Sequence, residues 1–468
     1  MIGHGNLLVV AVDPEIQNAH PRYCPAETTA RQVPTPDSAS TLPMQVPEDA
    51  ARALDERDFE AAVRRALERD PPRSLGKVAL ERLRARWGHT MRMLRPLGGC
   101  ATGNRLQLFS SGDEVWWEMW TAMRAARERV WLETYILEPD RVGTRTLAEL
   151  ANAAGRGCEV VLLYDSLGSY RINDAMLAPL RAAGARAHAY NPLSPWLWRG
   201  PILHRNHRKV LVVDRELAFC GGLNIGEDYA GPGLGNSRFR DSHVRVEGGA
   251  ARELARLFVG TLAEIGAPAP ATAAADTAAS CVPERGSLIQ VLESNQQRKR
   301  RAIQRTLRAT LKRASSRCWL TSPYFVPPPR LRTALGQAAA RGVDVRVLTA
   351  GPSDVPLVSL ASQHVYAWLL ARGVRIFEYG TPERLLHAKT VAIDGVYGMV
   401  GSFNFDFWSW GRNLEVNLGV LDATFAHELE QQFEADLLGA REVRASDLAG
   451  RGAWQRFLQA AAFRILRL

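Results

Sequence analysis

The chain has no apolar run long enough to cross a bilayer. A membrane-spanning helix needs about 20 consecutive apolar residues. The apolar stretch at 7–12 is too short even for the core of a signal peptide, and no basic region precedes it. We therefore expect a cytoplasmic protein that binds peripherally to the surface of the cell membrane and does not cross it.

Cysteine is scarce and scattered. The 468 residues include six cysteines and no C-x-x-C pair, which argues against a disulfide framework or a cysteine-based zinc site and favours buried thiols in a reducing compartment. His204 lies three residues before His207, but no other residues complete a set with metal-ligand spacing. The sequence thus predicts neither a metal nor a cofactor.

Positively charged residues outnumber negatively charged ones. The chain has 59 Lys and Arg against 49 Asp and Glu, so the formal net charge is 59 − 49 = +10. This balance favours an anionic partner, which could be nucleic acid, an acidic membrane surface or a phosphate-bearing substrate. A need for solubility alone explains the charge equally well.

Composition and patterning divide the chain into six segments. Strand-like and helix-like patterns alternate through two long segments, which predicts an α/β fold with mixed sheets. We expect a poorly ordered N-terminal segment over 1–55, a helical lead-in over 56–100, a first half over 101–265, an Ala/Pro-rich linker over 266–286, a second half over 287–440 and an amphipathic C-terminal helix over 441–468.

One reactive pattern occurs twice. The octet that begins at His207 and the octet that begins at His387 both carry His, Lys and Asp at relative positions 0, 2 and 7. A glycine follows each His after 14 residues and an asparagine after 17. Five identities in one ungapped frame indicate a duplication, and a duplicated reactive cluster predicts one site built from two halves.

The spacing places the reactive groups on one face of a strand. Short apolar runs follow both lysines, so each octet is expected to form a buried strand on which His and Lys point the same way. Lys can neutralise phosphoryl oxygens, whereas His can attack phosphorus or donate a proton to a leaving group. The candidate catalytic residues are His207, Lys209, Asp214, His387, Lys389 and Asp394.

The two aspartates of this set have a different expected role. Asp214 and Asp394 each end an apolar run, and Asp394-Gly395 is a hairpin-turn signal. We expect each Asp to fix the turn and support the site rather than touch phosphate.

The doubled H-x-K-x4-D pattern, with its following G-[GS]-x-N, resembles the phospholipase D superfamily. The stretches Thr321–Pro327, Gly221–Ile225 and Phe239–Val244 are similar to bacterial cardiolipin synthases, in particular the branch without transmembrane helices. This resemblance covers roughly residues 100 to 440. It implies two pseudo-symmetric phospholipase D-like halves, each a mixed sheet flanked by helices, that share one active-site cleft.

The resemblance also implies a metal-independent mechanism. One His forms a phosphohistidine and the other exchanges a proton with the two alcohols, with a slight preference for His207 as the nucleophile. Asn224 and Asn404 would bind phosphate oxygens beside the lysines. Glu415 lies 28 residues after His387, where the family has a carboxylate that hydrogen-bonds the reactive imidazole. Asp241, 34 residues after His207, resembles its counterpart in the first half.

The function implied is phosphatidyl transfer from one phospholipid to an alcohol such as phosphatidylglycerol. A phospholipase D hydrolase that releases phosphatidic acid would share every catalytic residue. A nuclease of the superfamily would exploit the basic charge, but no stacking aromatics on a basic groove are evident, so nucleic acid is an unlikely partner. A non-catalytic lipid-binding protein has no need for two His-Lys pairs. The expected partners are anionic phospholipid and a membrane surface; the sequence identifies no protein partner.

Three aromatic regions are candidates for contact with lipid. Trp196 and Trp198 lie in a loop before the first motif, and aromatic residues crowd the second motif from 403 to 410 and at 324–325. The tail 454–468 has apolar residues at helical spacing with arginines outside that stripe, which is typical of an interfacial helix. Burial in the protein core is the alternative for each region.

Overall fold

The structure is a computed structural model that describes residues 56–69, 76–192, 204–273, 286–294, 301–381 and 383–467. The N-terminal segment 1–55, the linker residues 274–285 and the tryptophans at 196 and 198 lie outside the described residues. All described residues belong to one compact unit, Arg52–Leu468.

The helices alternate with strands over most of the chain. They are α1 Glu56–Glu68, α2 Lys77–Leu94, α3 Gly112–Ala125, α4 Arg141–Gly155, α5 Asp174–Ala182, α6 Gly249–Glu264, α7 Ala302–Arg313, α8 Pro329–Ala340, α9 Pro356–Leu370, α10 Phe407–Gly411, α11 Ala423–Leu437, α12 Ala445–Ala449 and α13 Ala453–Ile465.

The strands fall into two matching series. Those of the first half are β1 Gly99–Phe109, β2 Arg129–Thr134, β3 Glu159–Asp165, β4 Arg186–Tyr190, β5 Val210–Val213, β6 Leu217–Gly221, β7 Phe239–Arg240 and β8 His243–Glu247. Those of the second half are β9 Ser287–Ser294, β10 Arg317–Thr321, β11 Asp344–Ala350, β12 Arg375–Tyr379, β13 Leu385–Leu386, β14 Thr390–Ile393, β15 Tyr397–Gly401, β16 Glu415–Leu421 and β17 Ala440–Val443.

Fifteen of the described strands join in one sheet that is nearly symmetric about its centre. Its order is β17-β12-β11-β10-β14-β15-β16-β9-β1-β8-β6-β5-β2-β3-β4. Counting outward from the antiparallel pair β1 and β9, each strand of one half holds the same position as its counterpart in the other, and β17 is an additional edge strand. The expected α/β fold of two pseudo-symmetric halves is confirmed.

The halves also share apolar cores. One cluster joins Phe258 and Val246 of the first half to Leu418 and Phe425 of the second. The lead-in helices α1 and α2 pack into the second half's core, where Trp87 is fully buried and stacks on Tyr397 at 5.1 Å between ring centroids. Because such interiors are closely packed, the relative position of the halves is fixed by burial as well as by the continuous sheet.

The C-terminal segment differs from the single helix expected over 441–468. Its first residues belong to β17, which pairs antiparallel with β12, and two helices, α12 and α13, follow. Alternation along 440–443 was too short to show an edge strand in the sequence.

Candidate active site

Each reactive octet is the first strand of a β-hairpin. β5 pairs with β6 and β14 with β15, and all eight residues of the strands β5 and β14 are buried. The turns begin with Asp214 at φ 49° and Asp394 at φ 55°, and Gly395 follows at φ 68°. Gly, Asn and Asp adopt this left-handed conformation with the least steric strain, so the Asp-Gly pair could be recognised as a turn from the sequence.

The two aspartates bind backbone rather than facing the reactive groups. Asp214 accepts N–H groups of residues 127–129, and Asp394 accepts those of residues 315–317, at 2.8 to 3.3 Å. Each carboxylate thereby holds the start of the neighbouring strand, β2 or β10. They lie five residues, about 16 Å along a strand, from the lysines. The structure therefore removes them from the catalytic group and places them at the turns, as their position before a turn had suggested.

Short segments cross between the halves at the reactive histidines. The His207 N–H donates to the Leu414 carbonyl at 3.0 Å, and the His387 N–H donates to the Arg240 carbonyl at 2.7 Å. β7 of the first half pairs in parallel with β13 of the second. Immediately before its reactive strand, the backbone of each half therefore hydrogen-bonds to the backbone of the other half.

This crossing brings each carboxylate to the histidine of the opposite half. His207 Nδ1 lies 3.0 Å from Glu415 Oε2, and His387 Nδ1 lies 2.5 Å from Asp241 Oδ2. The sequence-based pairing within each half, Glu415 with His387 and Asp241 with His207, was wrong. The reason is topological: sequence spacing locates a carboxylate along the chain, whereas the exchanged segments decide which imidazole it meets.

The glycines of the G-[GS]-x-N stretches make room for this exchange. A Cβ on Gly222 would lie 2.1 Å from the Asp241 carboxylate, and one on Gly401 would lie 2.2 Å from the Val416 carbonyl. At Ser402, which matches Gly222 in the duplication, the hydroxyl instead donates to Glu415 at 2.5 Å. The two positions thus differ in what they face: the Asp241 carboxylate leaves no room for a Cβ at 222, whereas Glu415 accepts a hydrogen bond from the side chain at 402.

Further polar groups that the sequence analysis missed hold these segments in place. Ser409 Oγ donates to Glu415 Oε1 at 2.7 Å, and the Asn206 N–H donates to the buried Asp165 at 2.9 Å. Asp165 also lies 3.4 Å from the Arg205 guanidinium. The only signal for them in the sequence was their nearness to motif residues or to the end of a strand.

Both lysines are buried and lie in one electrostatic environment. Lys209 and Lys389 each donate to the backbone carbonyl of the preceding motif histidine. Burial lowers the pKa of Lys209 to about 7 and that of Lys389 to about 8. Both Glu415 and Asp241 oppose the effect at each lysine, while Lys389 adds to it at Lys209. The same two carboxylates thus affect the pKa of both lysines, which is what the predicted single site shared by the two halves requires.

The pKa shifts favour neutral histidines and ionised carboxylates in the site. Burial lowers the pKa of His207 to about 4, against the attraction of Glu415, and burial with Lys389 lowers the pKa of His387. Burial would raise the pKa of Asp241 and of Glu415, but in each case the paired histidine and a lysine outweigh it and lower the pKa. Ionised carboxylates accept only, so they favour a proton on Nδ1 and leave Nε2 of each imidazole for a substrate.

The motif asparagines are buried beside the hairpins. Asn224 Oδ1 accepts the Ile136 N–H at 3.3 Å. The backbone N–H of Asn404 donates to Ser409 Oγ at 3.3 Å, and its side-chain Oδ1 has no hydrogen-bond partner among the described residues. The side-chain oxygen of Asn224 is thus held by a backbone N–H, whereas that of Asn404 has no such bond within the described residues.

Aromatic rings pack against the imidazoles. Tyr135 meets His207 edge-on at 5.0 Å between centroids, and Tyr229 and Phe239 meet His387 at 5.3 and 5.4 Å. By contrast, Phe403 and Phe405, considered as cleft walls from sequence, are at most 1% exposed and belong to the second half's apolar core. Phe325 and Val326 are likewise fully buried there, so these four residues are core.

The described residues include no cluster of three or more His, Cys, Asp or Glu side chains that could hold a metal ion. Within those same ranges, no helix is long and apolar enough to traverse a bilayer.

The fold resembles that of a solved enzyme over most of the chain. Phosphatidylserine synthase from Haemophilus influenzae aligns over 81% of this chain and 98% of its own, with a TM-score of 0.61 and 13% identity. At that identity the likeness concerns the fold alone.

Sequence comparison identifies the family. The family model "Cardiolipin synthase, PLD-like domain" matches residues 119–232 and 307–437. Cardiolipin synthase A of Pseudomonas fluorescens is 35% identical over 345 residues, which are 74% of this chain and 71% of the relative. Cardiolipin synthase 1 of Bacillus cereus is 29% identical over 386 residues, 79% of this chain and 74% of the relative.

The doubled fold and the two His-Lys motifs define an enzyme with a phospholipase D-like active site. The chain belongs to the cardiolipin synthase family of phospholipase D-like proteins and is a phosphatidyltransferase.

Proposed function

We propose that this protein makes cardiolipin by transferring a phosphatidyl group from one phospholipid to the free alcohol of another, such as phosphatidylglycerol. The observation that carries the proposal is the pair of crossed contacts, His207 with Glu415 and His387 with Asp241, around two buried lysines. Two imidazoles supported from opposite halves suit a reaction in which one attacks and the other manages a proton.

In the first step, Nε2 of His207 attacks phosphorus. A P–N bond forms, the P–O bond to the leaving alcohol breaks, and His387 Nε2 gives that oxygen its proton. In the second step, His387 takes the proton of the incoming alcohol, whose oxygen attacks phosphorus and displaces His207. His207 is assigned as nucleophile from the resemblance to the family, and its lowered pKa, about 4, suits an attacking imidazole that carries no proton on Nε2.

The lysines and asparagines are proposed to bind the phosphoryl oxygens. Lys209 and Lys389 would neutralise the charge on the five-coordinate transition state, with Asn224 and Asn404 beside them. An anionic diester would also offset the lysines and thereby raise the pKa of His387, which favours the protonated form that the first step needs. No cofactor or metal is part of this scheme.

We place the reaction at the surface of an anionic phospholipid membrane, on the cytoplasmic side. Three described cysteines, Cys158, Cys220 and Cys318, are free and buried, which supports a reducing compartment.

The test uses purified protein and phosphatidylglycerol vesicles, with products resolved by mass. Cardiolipin and glycerol are expected in equal amounts, with phosphatidic acid a minor product. Dominant phosphatidic acid despite abundant phosphatidylglycerol would support the second candidate, a phospholipase D hydrolase, and would leave the catalytic assignments in place.

The nucleophile is tested with a diester that carries a p-nitrophenyl leaving group, which departs without a proton. The variant His387→Ala should release one equivalent of p-nitrophenol in a burst and hold the phosphoryl adduct, whereas His207→Ala should give no burst. A burst from His207→Ala alone would reverse the two roles.

A further inference from the structure

The tail helix α13 leaves its apolar stripe in solvent. Trp454, Phe457 and Ile465 are 70%, 59% and 55% exposed, and Leu458 is 37% exposed. At 100° per residue these four side chains fall on one face of the helix. Trp454 and Phe457 also stack on each other at 5.4 Å between centroids.

A different face of α13 fixes it to the protein. Gln459, Ala462 and Phe463 are buried, Gln459 donates to Gln363 of α9 at 2.9 Å, and Phe463 packs on His364 and Phe407 at 4.8 and 5.9 Å. The helix is therefore held by its own contacts, and its large apolar side chains contribute little to that docking. An exposed apolar stripe on an otherwise anchored helix indicates an external partner.

The charge around the stripe favours an anionic partner. After Asp447 the chain has no acidic residue, whereas arginines occur at 451, 456, 464 and 467. Arg456 and Arg464 are exposed on α13 itself; at 100° per residue Arg464 borders the stripe, next to Phe457, whereas Arg456 faces away from it. Apolar residues with a Trp, flanked by arginines, fit a bilayer whose headgroups are negative.

The helix that holds α13 begins near the reactive site. α13 packs on α9, whose N-terminal end carries the exposed Val355 and Leu357. The preceding residue, Asp354, binds the Tyr324 hydroxyl at 2.8 Å and contributes to the electrostatic environment of Lys389. A membrane on this surface would thus lie beside the rim of the site.

We infer that the exposed face of α13, with the N-terminal end of α9, docks the enzyme on an anionic phospholipid bilayer so that the cleft faces the lipid surface. The inference rests on the proposed function for its purpose, but it concerns binding and is measured without turnover.

The experiment compares two triple variants by co-sedimentation with vesicles. Trp454→Ser, Phe457→Ser and Ile465→Ser remove the stripe. Val78→Ser, Met93→Ser and Leu438→Ser remove three exposed apolar side chains elsewhere and form the matched control. On vesicles of phosphatidylglycerol and phosphatidylcholine in equal parts, the tail variant should bind about tenfold more weakly or worse, and the control should bind like wild type.

Charge is tested separately. Pure phosphatidylcholine vesicles should bind weakly, and Arg464→Gln, at the edge of the stripe, should reduce the salt dependence of binding to the anionic vesicles more than Arg456→Gln, which faces away from it. Turnover of a soluble short-chain diester should be unchanged in the tail variant, whereas His207→Ala should lose turnover and keep vesicle binding.

Equal vesicle binding by the tail variant and its control would overturn the inference. So would a tail variant that changes the sedimentation coefficient of the vesicle-free protein but not its vesicle binding, because the stripe would then join two copies of the chain. Loss of soluble turnover together with vesicle binding would show that the helix serves the fold. Failure of cardiolipin synthesis with normal docking would instead count only against the proposed function.

Discussion

At the residue scale, the site is defined by buried ionisable groups that face one another across the two halves. His207, Lys209, His387 and Lys389 are each at most 7% exposed, which is unusual for charged or titrating side chains. The cost of burying them is offset by Glu415 and Asp241, whose own charges the lysines and histidines stabilise. Such mutual dependence makes single changes informative.

The crossed pairing predicts which histidine responds when a carboxylate is neutralised. Glu415→Gln should lower kcat on the order of 10³-fold, because the amide no longer stabilises the His207 imidazolium or fixes its tautomer. In ¹⁵N-histidine NMR spectra the Nδ1 resonance of His207 should shift and that of His387 should not. Glu442→Gln, at an exposed ion pair with Arg375, is the control and should leave activity unchanged. A shift confined to His387 would contradict the crossed arrangement.

The lysine pKa values predict loss of activity toward alkaline pH. A lysine is charged only below its pKa, so the site loses positive charge as pH rises, first at Lys209 near 7 and then at Lys389 near 8. The ratio kcat/KM should therefore fall across this range in a pH–rate profile. Lys209→Arg, whose guanidinium stays charged, should move the first fall to higher pH even if the maximum rate drops. The exposed Lys77→Arg should leave the profile unchanged, and an identical alkaline limb in Lys209→Arg would assign it to another group.

At the element scale, the hairpins hold the reactive strands through their aspartates. Asp394 accepts three backbone N–H groups and the indole N–H of Trp87 at 3.3 Å, and it is 2% exposed. Asp214 accepts three backbone N–H groups in a more exposed turn. The second hairpin is therefore tied to the lead-in helix α2 as well as to its neighbouring strand.

These contacts predict an effect on stability rather than chemistry. Asp394→Asn should lower the free energy of unfolding by about 3 kcal/mol and Asp214→Asn by about 1.5 kcal/mol, because charged acceptors are lost where backbone donors remain. Urea unfolding measures both, and activity per folded molecule should stay within about threefold of wild type. A large fall in kcat at unchanged stability would contradict this and show that the aspartates take part in catalysis.

At the scale of the whole molecule, one chain supplies one complete site. The sheet runs through both halves at β1 and β9, and each histidine depends on a carboxylate from the other half. The duplication thus acts as an internal dimer, in which equivalent residues are related by a pseudo-twofold axis.

This arrangement predicts that inactive full-length variants cannot complement each other. Mixing His207→Ala with His387→Ala, including after joint unfolding and refolding, should leave product formation at the level of either variant alone. In contrast, two fragments divided within 274–285 and co-expressed should recover activity, since β1 and β9 can still pair. Recovery in the full-length mixture would mean that sites form between chains.

The sequence alone determined the duplicated motif, the paired reactive groups, the turn role of Asp214 and Asp394 and the alternation that builds the α/β halves. These features depend on local spacing and on backbone preferences, which are properties of short segments. Tertiary structure alone decided that Glu415 hydrogen-bonds His207, that Phe403 and Phe405 lie in the core, and that the apolar stripe of α13 faces solvent. Apolar spacing shows that a face exists but not what covers it, and chain order does not show which half receives an exchanged segment, because both are settled by contacts between residues far apart in sequence.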